Sequence, residues 1–202
     1  MKKVYIAVLS LGYIRQELAI ALLKISGDGR YEKQIQFHGL RPSAHNRNSI
    51  VKEFLKTDCD YLLCIDHDNI PINNPLDLVE LDKDVIGCPY PQVKNGEIGW
   101  LVMNKVPDGY RQVSVENAVG VQEVDAIASG VMLIARRVLE KVKTPFKRKW
   151  KDGQAVKGLD FYFCDKARDL GFKVWVAWDY VADHYKEVSL LQVLQLLGKA
   201  SK

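Results

Sequence analysis

The stretch "YLLCIDHDNIP", residues 61–71, decides the fold of this chain. It begins as a short apolar run and ends in two acids around a histidine, followed by Asn and Pro. A run of this length that is bounded by turn residues is typical of a strand buried on both faces. The sequence therefore predicts that Asp66, His67 and Asp68 lie together just beyond the carboxyl end of a core strand.

Segments of strand and helix character alternate around this stretch. An apolar first strand, "KKVYIAVLS", precedes a helix in which Ile14, Leu18, Leu22 and Ile25 recur at helical spacing. A second strand, "KQIQFHGL", and a second helix, "HNRNSIVKEFLKTDC", lead into the central strand, and "KDVIGCPY" predicts a fourth strand. This alternation indicates an α/β protein with a mainly parallel central sheet.

The segment 92–124 differs in composition from its flanks. It is rich in Gly, Pro and Asn and contains short strand-like pieces, which predicts a small hairpin-rich insertion over one end of the sheet. A core strand in "DAIASGVMLIA" follows, then a short helix, a helix in "DFYFCDKARDLG", a strand in "KVWVAW" and a terminal helix in "SLLQVLQLLGK". No linker composition marks a domain boundary, so residues 1–202 are predicted to form a single domain.

The overall composition is ordinary for a soluble globular protein, with 48% hydrophobic and 27% charged residues. A formal net charge of +4 is too small by itself to indicate nucleic-acid binding. No apolar run has the length of a transmembrane segment and the N-terminus lacks a signal-peptide pattern, so we expect a cytoplasmic protein. The leucine-rich terminal helix could dimerise or lie peripherally on a membrane, but packing on the sheet is the simplest expectation.

The two acids at the end of the central strand are candidates for metal binding. Ligands of open α/β sheets bind beyond the carboxyl ends of the strands. In extended backbone, residues two apart point to the same side, so Asp66 and Asp68 can converge while His67 faces elsewhere. Two carboxylates suit Mg²⁺ or Mn²⁺. The alternative is an ordinary turn, in which Asp, Asn and Pro are common.

Three blocks of the sequence, taken together, resemble GT-A-fold glycosyltransferases of the family 2 type. In "HNRNSIVKEFLKTDCDYLLCIDHDNIP" an Arg-Asn-containing helix leads into a strand that ends in DxD. The block "IASGVMLIARRVLEKV" is similar to the later strand and helix that shape the sugar and acceptor pocket, and "GLDFYFCDKARDLGFKVWVAWDYVADH" to the C-terminal block. The blocks stand in family order. The resemblance implies a Rossmann-like GT-A domain that uses a nucleotide-sugar.

The resemblance also implies roles for individual residues. Asp66, Asp68 and His184 would hold Mn²⁺ or Mg²⁺ on a UDP- or GDP-sugar donor, and Asp160 would be the general base of an inverting reaction. A plain loop histidine and a helix N-cap are the alternatives for His184 and Asp160. The chain departs from the pattern at Leu159, where many members have Glu, which weakens the assignment of the base.

Further residues are candidates for binding the donor. They lie at the end of the first strand, on or before the second helix, at the DxD turn, in the second block and in the basic segment "FKRKWKDGQAVKG". We interpret the basic segment as a lid. The candidates are Ser10, Gly12, Tyr13, Arg41, Arg47, Asp66, His67, Ser129, Gly130 and Trp150. For the arginines the alternative is a solvated helix edge, and for the basic segment a solvated loop.

The leading hypothesis is a metal-dependent glycosyltransferase that moves a sugar from a nucleoside-diphosphate sugar to the hydroxyl of a glycan or another acceptor. A sugar nucleotidyltransferase is an alternative, although it would need a glycine-rich loop after the first strand, where only Gly12 is present. A non-catalytic nucleotide- or sugar-binding module, with "KRKWK" as a polyanion patch, is the other alternative. It leaves Asp160 and His184 unexplained.

Overall fold

The computed structural model describes residues 1–39, 43–94, 97–114, 116, 118–152, 154–187 and 189–198. Within these residues the strands are β1 (Lys3–Leu9), β2 (Glu32–His38), β3 (Tyr61–Asp66), β4 (Asn69–Pro71), β5 (Val85–Gly87), β6 (Pro91–Lys94), β7 (Glu97–Trp100), β8 (Val102–Val106), β9 (Gly109–Gln112), β10 (Val121–Val124), β11 (Ala126–Ile127), β12 (Val131–Ala135), β13 (Lys149–Lys151), β14 (Gln154–Lys157), β15 (Val174–Ala177) and β16 (Ala182–His184). The helices are α1 (Gln16–Gly27), α2 (Ser43–Phe54), α3 (Arg136–Lys141), α4 (Leu159–Asp169) and α5 (Leu190–Leu196), with a 3₁₀ helix at Pro75–Leu81.

Seven of these strands form one mixed sheet in the order β10-β15-β5-β12-β3-β1-β2. β1 runs parallel to both β2 and β3, and β5 runs parallel to β15. β12 lies antiparallel between β3 and β5, and β10 is antiparallel at the far edge. Five strands therefore share one direction, which confirms the predicted α/β fold with a mainly parallel central sheet.

The predicted hairpin-rich insertion is also confirmed. β6 pairs with β7 and β8 pairs with β9, each as an antiparallel hairpin. One part of the prediction is wrong, because β10, from the same segment, joins the edge of the main sheet instead of lying over it. Val124 is buried there, while Val121 on the same strand stays exposed.

The core forms where the sequence is continuously apolar. Every residue of β1 after Lys3 is buried, as is β3 up to Ile65, because helices and loops cover both faces of these strands. The helix α2 buries Ile50, Val51 and Phe54 against the sheet, and it also buries Arg47 on the same face. A cationic side chain therefore lies inside the protein beside the carboxyl end of β3.

The terminal helix does not pack as expected. Leucines of α5 and the residue that follows it remain 43–80% exposed: Leu190, Leu191, Leu194 and Leu197. The expectation that these leucines pack on the sheet is wrong for this structure. In the described part of the chain, every helix is too short or too polar to cross a lipid bilayer.

Candidate functional site

The carboxyl end of β3 is where separate parts of the chain meet. The backbone N–H of Asp66 donates to the carbonyl oxygen of Gly130 at 2.8 Å, and the backbone N–H of His67 donates to the carbonyl oxygen of Leu9 at 2.9 Å. Beyond Asp66 the chain turns, so the extended backbone predicted for residues 66–68 is wrong. β4 then pairs with β16 and brings His184 opposite Asn69. The ends of β1, β3 and β16 and the start of β12 therefore share one edge.

Gly130 is needed because side chains crowd this edge. A Cβ atom at position 130 would lie 2.6 Å from Asn69 Cγ and 2.6 Å from Tyr90 Cε1. Asn69 and Tyr90 are 2% and 6% exposed, so they have little room to move. The tight contact explains the glycine without a ligand and places both side chains beside the end of β3.

Asp66 forms an ion pair with the buried Arg47. Arg47 is 5% exposed, and its Nη2 lies 2.7 Å from each carboxylate oxygen of Asp66. A buried guanidinium needs such a partner, because an unpaired charge inside a protein is costly. The Arg47 Nη1 atom is buried without a hydrogen-bond partner among the described residues, as is Asn69 Oδ1. A buried polar atom of this kind can be satisfied by an ordered water or by a bound group.

The charges of the cluster act strongly on one another. Burial and the nearby carboxylates of Asp160 and Asp68 raise the pKa of Asp66 and Arg47 opposes them, so that this pKa lies at about 6. Burial alone would lower the pKa of Arg47, but Asp66 and Asp160 together hold it above its usual value. Asp68 and Asp160 are therefore both close enough to Asp66 to act on it, and Arg47 offsets part of this repulsion.

Asp68 and His184 face each other on the outer side of this cluster. Asp68 Oδ2 lies 3.6 Å from His184 Nε2, and His184 Nδ1 lies 2.7 Å from the carbonyl oxygen of Pro91. A carbonyl only accepts hydrogen bonds, so Nδ1 carries a proton and the other ring nitrogen, Nε2, faces Asp68. Lys186 also contacts Asp68. Burial opposes ionisation, but hydrogen bonds from His184 and Lys186 hold the pKa of Asp68 well below its usual range.

The Asp68–His184 pair fits a divalent ion, whereas Asp66 is directed elsewhere. Metal-binding histidines commonly donate their second ring N–H to a backbone carbonyl, as His184 does to Pro91. No group of three or more His, Cys, Asp or Glu side chains placed to hold a metal occurs among the described residues. The predicted ligands Asp66, Asp68 and His184 are therefore not assembled as one three-ligand group.

Asp160 lies on the inner side of the same edge. It is the second residue of α4, whose N-cap is Gly158 without a side-chain cap. The alternative that Asp160 caps the helix is therefore wrong. Instead Ser129 Oγ donates to Asp160 Oδ1 at 2.5 Å, and Ser129 is only 1% exposed. Ser129, predicted to bind the donor, is buried beneath the carboxylate and fixes its orientation.

The end of β1 forms an open rim beside the DxD turn. Gly12 has φ +98°, in the region that favours glycine, and Ser10 Oγ accepts from its N–H at 3.5 Å. Tyr13 is 64% exposed and its ring packs edge-on against His67, with centroids 5.9 Å apart. Ser10, Gly12, Tyr13 and His67 thus lie together at the rim.

Two predicted candidates remain, and only Trp150 lies in the described part of the chain. Arg41 falls outside the described residues. The predicted lid segment contains a two-stranded hairpin of β13 and β14. Trp150 lies on this hairpin and is 61% exposed. The hairpin leads directly into α4.

Sequence reasoning missed Asn69, Tyr90 and Lys186. Asn69 and Tyr90 are polar residues buried beside the carboxylates, and nothing in a single sequence marks such burial. Lys186 could have been found, because it is a basic residue two positions after the predicted ligand His184.

No known protein family and no curated protein matches this sequence. Solved structures do match its fold. The structure of A197 from STIV superposes with a TM-score of 0.65 at 22% identity, over 93% of this chain and 87% of that chain. A structure of GalNAc-T7 with UDP, GalNAc and Mn²⁺ gives 0.52 at 10% identity, over 98% of this chain but 47% of that one.

The inositol-1-phosphate CTP transferase from T. maritima gives a TM-score of 0.51 at 12% identity, over 98% of this chain and 96% of that chain. Identities this low show the fold alone. The chain is a Rossmann-like α/β protein with a GT-A-like fold, and its candidate site lies at the strand ends where such folds bind ligands.

Proposed function

We propose that the protein is a metal-dependent, inverting glycosyltransferase that moves a sugar from a nucleoside-diphosphate sugar to an acceptor hydroxyl. The observation that supports this most is the placement of a rigidly held carboxylate, Asp160, at the same edge as the facing pair Asp68 and His184. The Asp68–His184 pair suits a metal-bound diphosphate, and the Asp160 carboxylate suits proton abstraction.

Asp68 and His184 would hold Mn²⁺ or Mg²⁺, with donor phosphate oxygens and water as the other ligands. The bound ion would stabilise the negative charge that develops on the leaving nucleoside diphosphate. Asp66, already paired with Arg47, would add negative charge beside the ion and keep that guanidinium in place. Lys186 would leave Asp68 and pair with the diphosphate instead.

Asp160 would act as the general base. Ser129 occupies Oδ1, and Oδ2 accepts no hydrogen bond from a described residue, so Oδ2 is free to take the proton of the acceptor hydroxyl. The acceptor oxygen would then attack the anomeric carbon as the bond from that carbon to the diphosphate oxygen breaks.

The donor would lie across the open rim. Ser10 and Gly12 would contact the nucleotide through a backbone that approaches closely, and Tyr13 and His67 offer an exposed aromatic surface for the base. Trp150 would cover the donor from the hairpin. The four cysteines are free and buried, which suits action in the reducing cytoplasm.

Product analysis distinguishes this reaction from the alternatives. The protein is incubated with Mn²⁺, a panel of UDP- and GDP-sugars and a mixture of oligosaccharide acceptors, and released nucleoside diphosphate is measured by chromatography. A parallel incubation supplies nucleoside triphosphates with sugar 1-phosphates. A glycosyltransferase releases nucleoside diphosphate in the first mixture, a nucleotidyltransferase releases pyrophosphate in the second, and a binding module releases neither.

A further inference from the structure

One short segment carries a formal charge equal to the net positive charge of the whole chain. Four of the five residues from Lys147 to Lys151 are basic and none is acidic, so this segment carries a formal charge of +4. The whole chain carries the same formal net charge, +4, so the formal charges of all the other residues sum to zero. We call the segment 147–157, which contains β13 and β14, the basic hairpin.

The charges at the start of the basic hairpin are not paired with any carboxylate of the described residues. Lys147, Arg148 and Lys149 are exposed, and none of them forms an ion pair with a carboxylate among the described residues. Lys157, at the other end of the hairpin, differs because it pairs with Asp165. Exposed cations without partners remain available for an anionic ligand.

Aromatic rings lie beside these cations. The Arg148 guanidinium carbon lies 6.0 Å from the centroid of Trp150, and the ammonium of Lys149 lies 5.6 Å from the centroid of Tyr162. Trp150 is 61% exposed, which is unusual for so large an apolar side chain. A flat ring next to a cation can contact the apolar face of a sugar ring while the cation binds a carboxylate or phosphate on that sugar.

The root of the hairpin is fixed to the helices that carry the candidate site. The side chain of Asn48 on α2 bonds both backbone groups of Phe146. Its Oδ1 accepts from the Phe146 N–H at 3.1 Å, and its Nδ2 donates to the Phe146 carbonyl oxygen at 2.7 Å. The Phe146 ring stacks on Phe163 of α4, with centroids 5.0 Å apart. The far end of the hairpin runs through Gly158 into α4 and Asp160. Both ends of the basic hairpin are therefore held by helices that carry residues of the candidate site, Arg47 on α2 and Asp160 on α4.

We infer that the basic hairpin binds the acidic groups of the acceptor, and that the acceptor is a glycan bearing carboxylate or phosphate groups. This inference rests on the proposed function for the meaning of "acceptor", but the binding itself requires no reaction. Nucleic acid fits less well, because its recognition uses many phosphate contacts, whereas this cluster of cations spans only the residues 147–151.

Direct binding without metal or nucleotide tests the inference. Calorimetry compares hexagalacturonic acid, which carries carboxylates, phosphorylated pentamannose, which carries phosphate, and neutral maltohexaose. We expect one of the acidic oligosaccharides to bind and maltohexaose not to bind. The variant Arg148→Ala/Lys149→Ala should lose roughly tenfold or more in affinity, and Trp150→Ala should weaken the same ligand. Higher salt should weaken binding to the unmodified protein more than to the double variant.

A matched control removes two exposed lysines elsewhere, Lys24→Ala/Lys56→Ala, and should bind as the unmodified protein does. Equal binding by the hairpin variant and by the control, or equal binding of maltohexaose, would overturn the inference. Tighter binding to phosphatidylserine vesicles than to either oligosaccharide, lost in the same hairpin variant, would overturn it in favour of a membrane surface. Acidic-glycan binding in a protein that never releases nucleoside diphosphate would support the hairpin assignment and contradict the proposed reaction.

Discussion

Arg47 bonds both carboxylate oxygens of Asp66 through a single nitrogen, Nη2, although Arg47 lies on α2 and Asp66 at the end of β3. The pair joins helix and sheet under the candidate site, and it leaves Nη1 buried and free of hydrogen bonds from described residues. A buried pair of this kind orders a site more surely than it stabilises the fold.

The first prediction concerns this pair. Arg47→Met should lower the free energy of unfolding by roughly 2–4 kcal/mol at pH 8, because it leaves the carboxylate of Asp66 without its partner. Without Arg47 the pKa of Asp66 rises further, so the native carboxyl holds its proton to higher pH than the unfolded one. The variant therefore loses stability as pH rises. The difference in the free energy of unfolding between Arg47→Met and the unmodified protein should be smaller at pH 5 than at pH 8.

Urea unfolding at pH 5 and pH 8 measures both effects. Lys166→Met is the control, because Lys166 forms an exposed pair with Asp169 and should change stability by less than about 1 kcal/mol. An Arg47→Met deficit that does not depend on pH would contradict the account of the pair.

The second prediction concerns acid stability. Burial opposes ionisation of Asp165, but Lys157, Tyr110 and Lys105 together lower its pKa to about 2. A native pKa below the unfolded value of about 3.9 adds stability above that value, and this contribution is lost as pH falls toward 2. Asp165→Asn should cost about 1–2 kcal/mol at pH 7 and flatten the stability curve between pH 4 and 2.

Denaturant unfolding from pH 2 to 7 checks this expectation. Asp169→Asn, on an exposed residue of the same helix, serves as the control and should leave the curve nearly unchanged. Parallel curves for Asp165→Asn and the unmodified protein would show that Asp165 contributes no pH-dependent stability.

The third prediction separates catalysis from structure at Asp160. The helix is not capped by Asp160, so Asp160→Asn should keep near-normal stability and donor affinity while turnover falls by roughly 10²–10⁴-fold. Ser129→Ala should lower kcat by a smaller factor without changing donor KM, because Ser129 only orients the carboxylate. Steady-state kinetics and thermal unfolding measure these quantities. Full turnover in Asp160→Asn would remove Asp160 from the mechanism.

The fourth prediction concerns Lys186, whose ammonium contacts Asp68. If this ammonium competes with a divalent ion, Lys186→Met should bind free Mn²⁺ roughly tenfold more tightly and bind Mn²⁺–nucleoside diphosphate less tightly. Electron paramagnetic resonance of free Mn²⁺ and calorimetry of the nucleotide measure the two affinities. Lys24→Met, an exposed lysine on α1, controls for the loss of one charge. Unchanged Mn²⁺ affinity in Lys186→Met would show that the ammonium does not compete.

The sequence was enough to predict the α/β class, because β1 and β3 are continuous apolar runs that only a covered sheet can bury. It was not enough to predict the direction of β12. The fully buried strand "VMLIA" has the same apolar pattern whether it runs parallel or antiparallel to its neighbours. Strand direction depends on the connection through the insertion, which the pattern of one strand does not encode.

Within the site, short-range patterns were more informative than long-range contacts. Arg47 stands at helical spacing with Ile50, Val51 and Phe54, and this spacing could have predicted its burial. The bond from Ser129 to Asp160 joins residues on different elements and has no sequence pattern.

The central claim is that Asp68 and His184 form a divalent-ion site for a nucleoside diphosphate, and calorimetry of UDP and GDP with and without Mn²⁺ tests it most directly. The account predicts that Mn²⁺ strengthens the binding of one nucleotide by roughly tenfold or more, and that Asp68→Ala and His184→Ala each remove most of this gain. The same Mn²⁺ response in the unmodified protein and in both variants would contradict it.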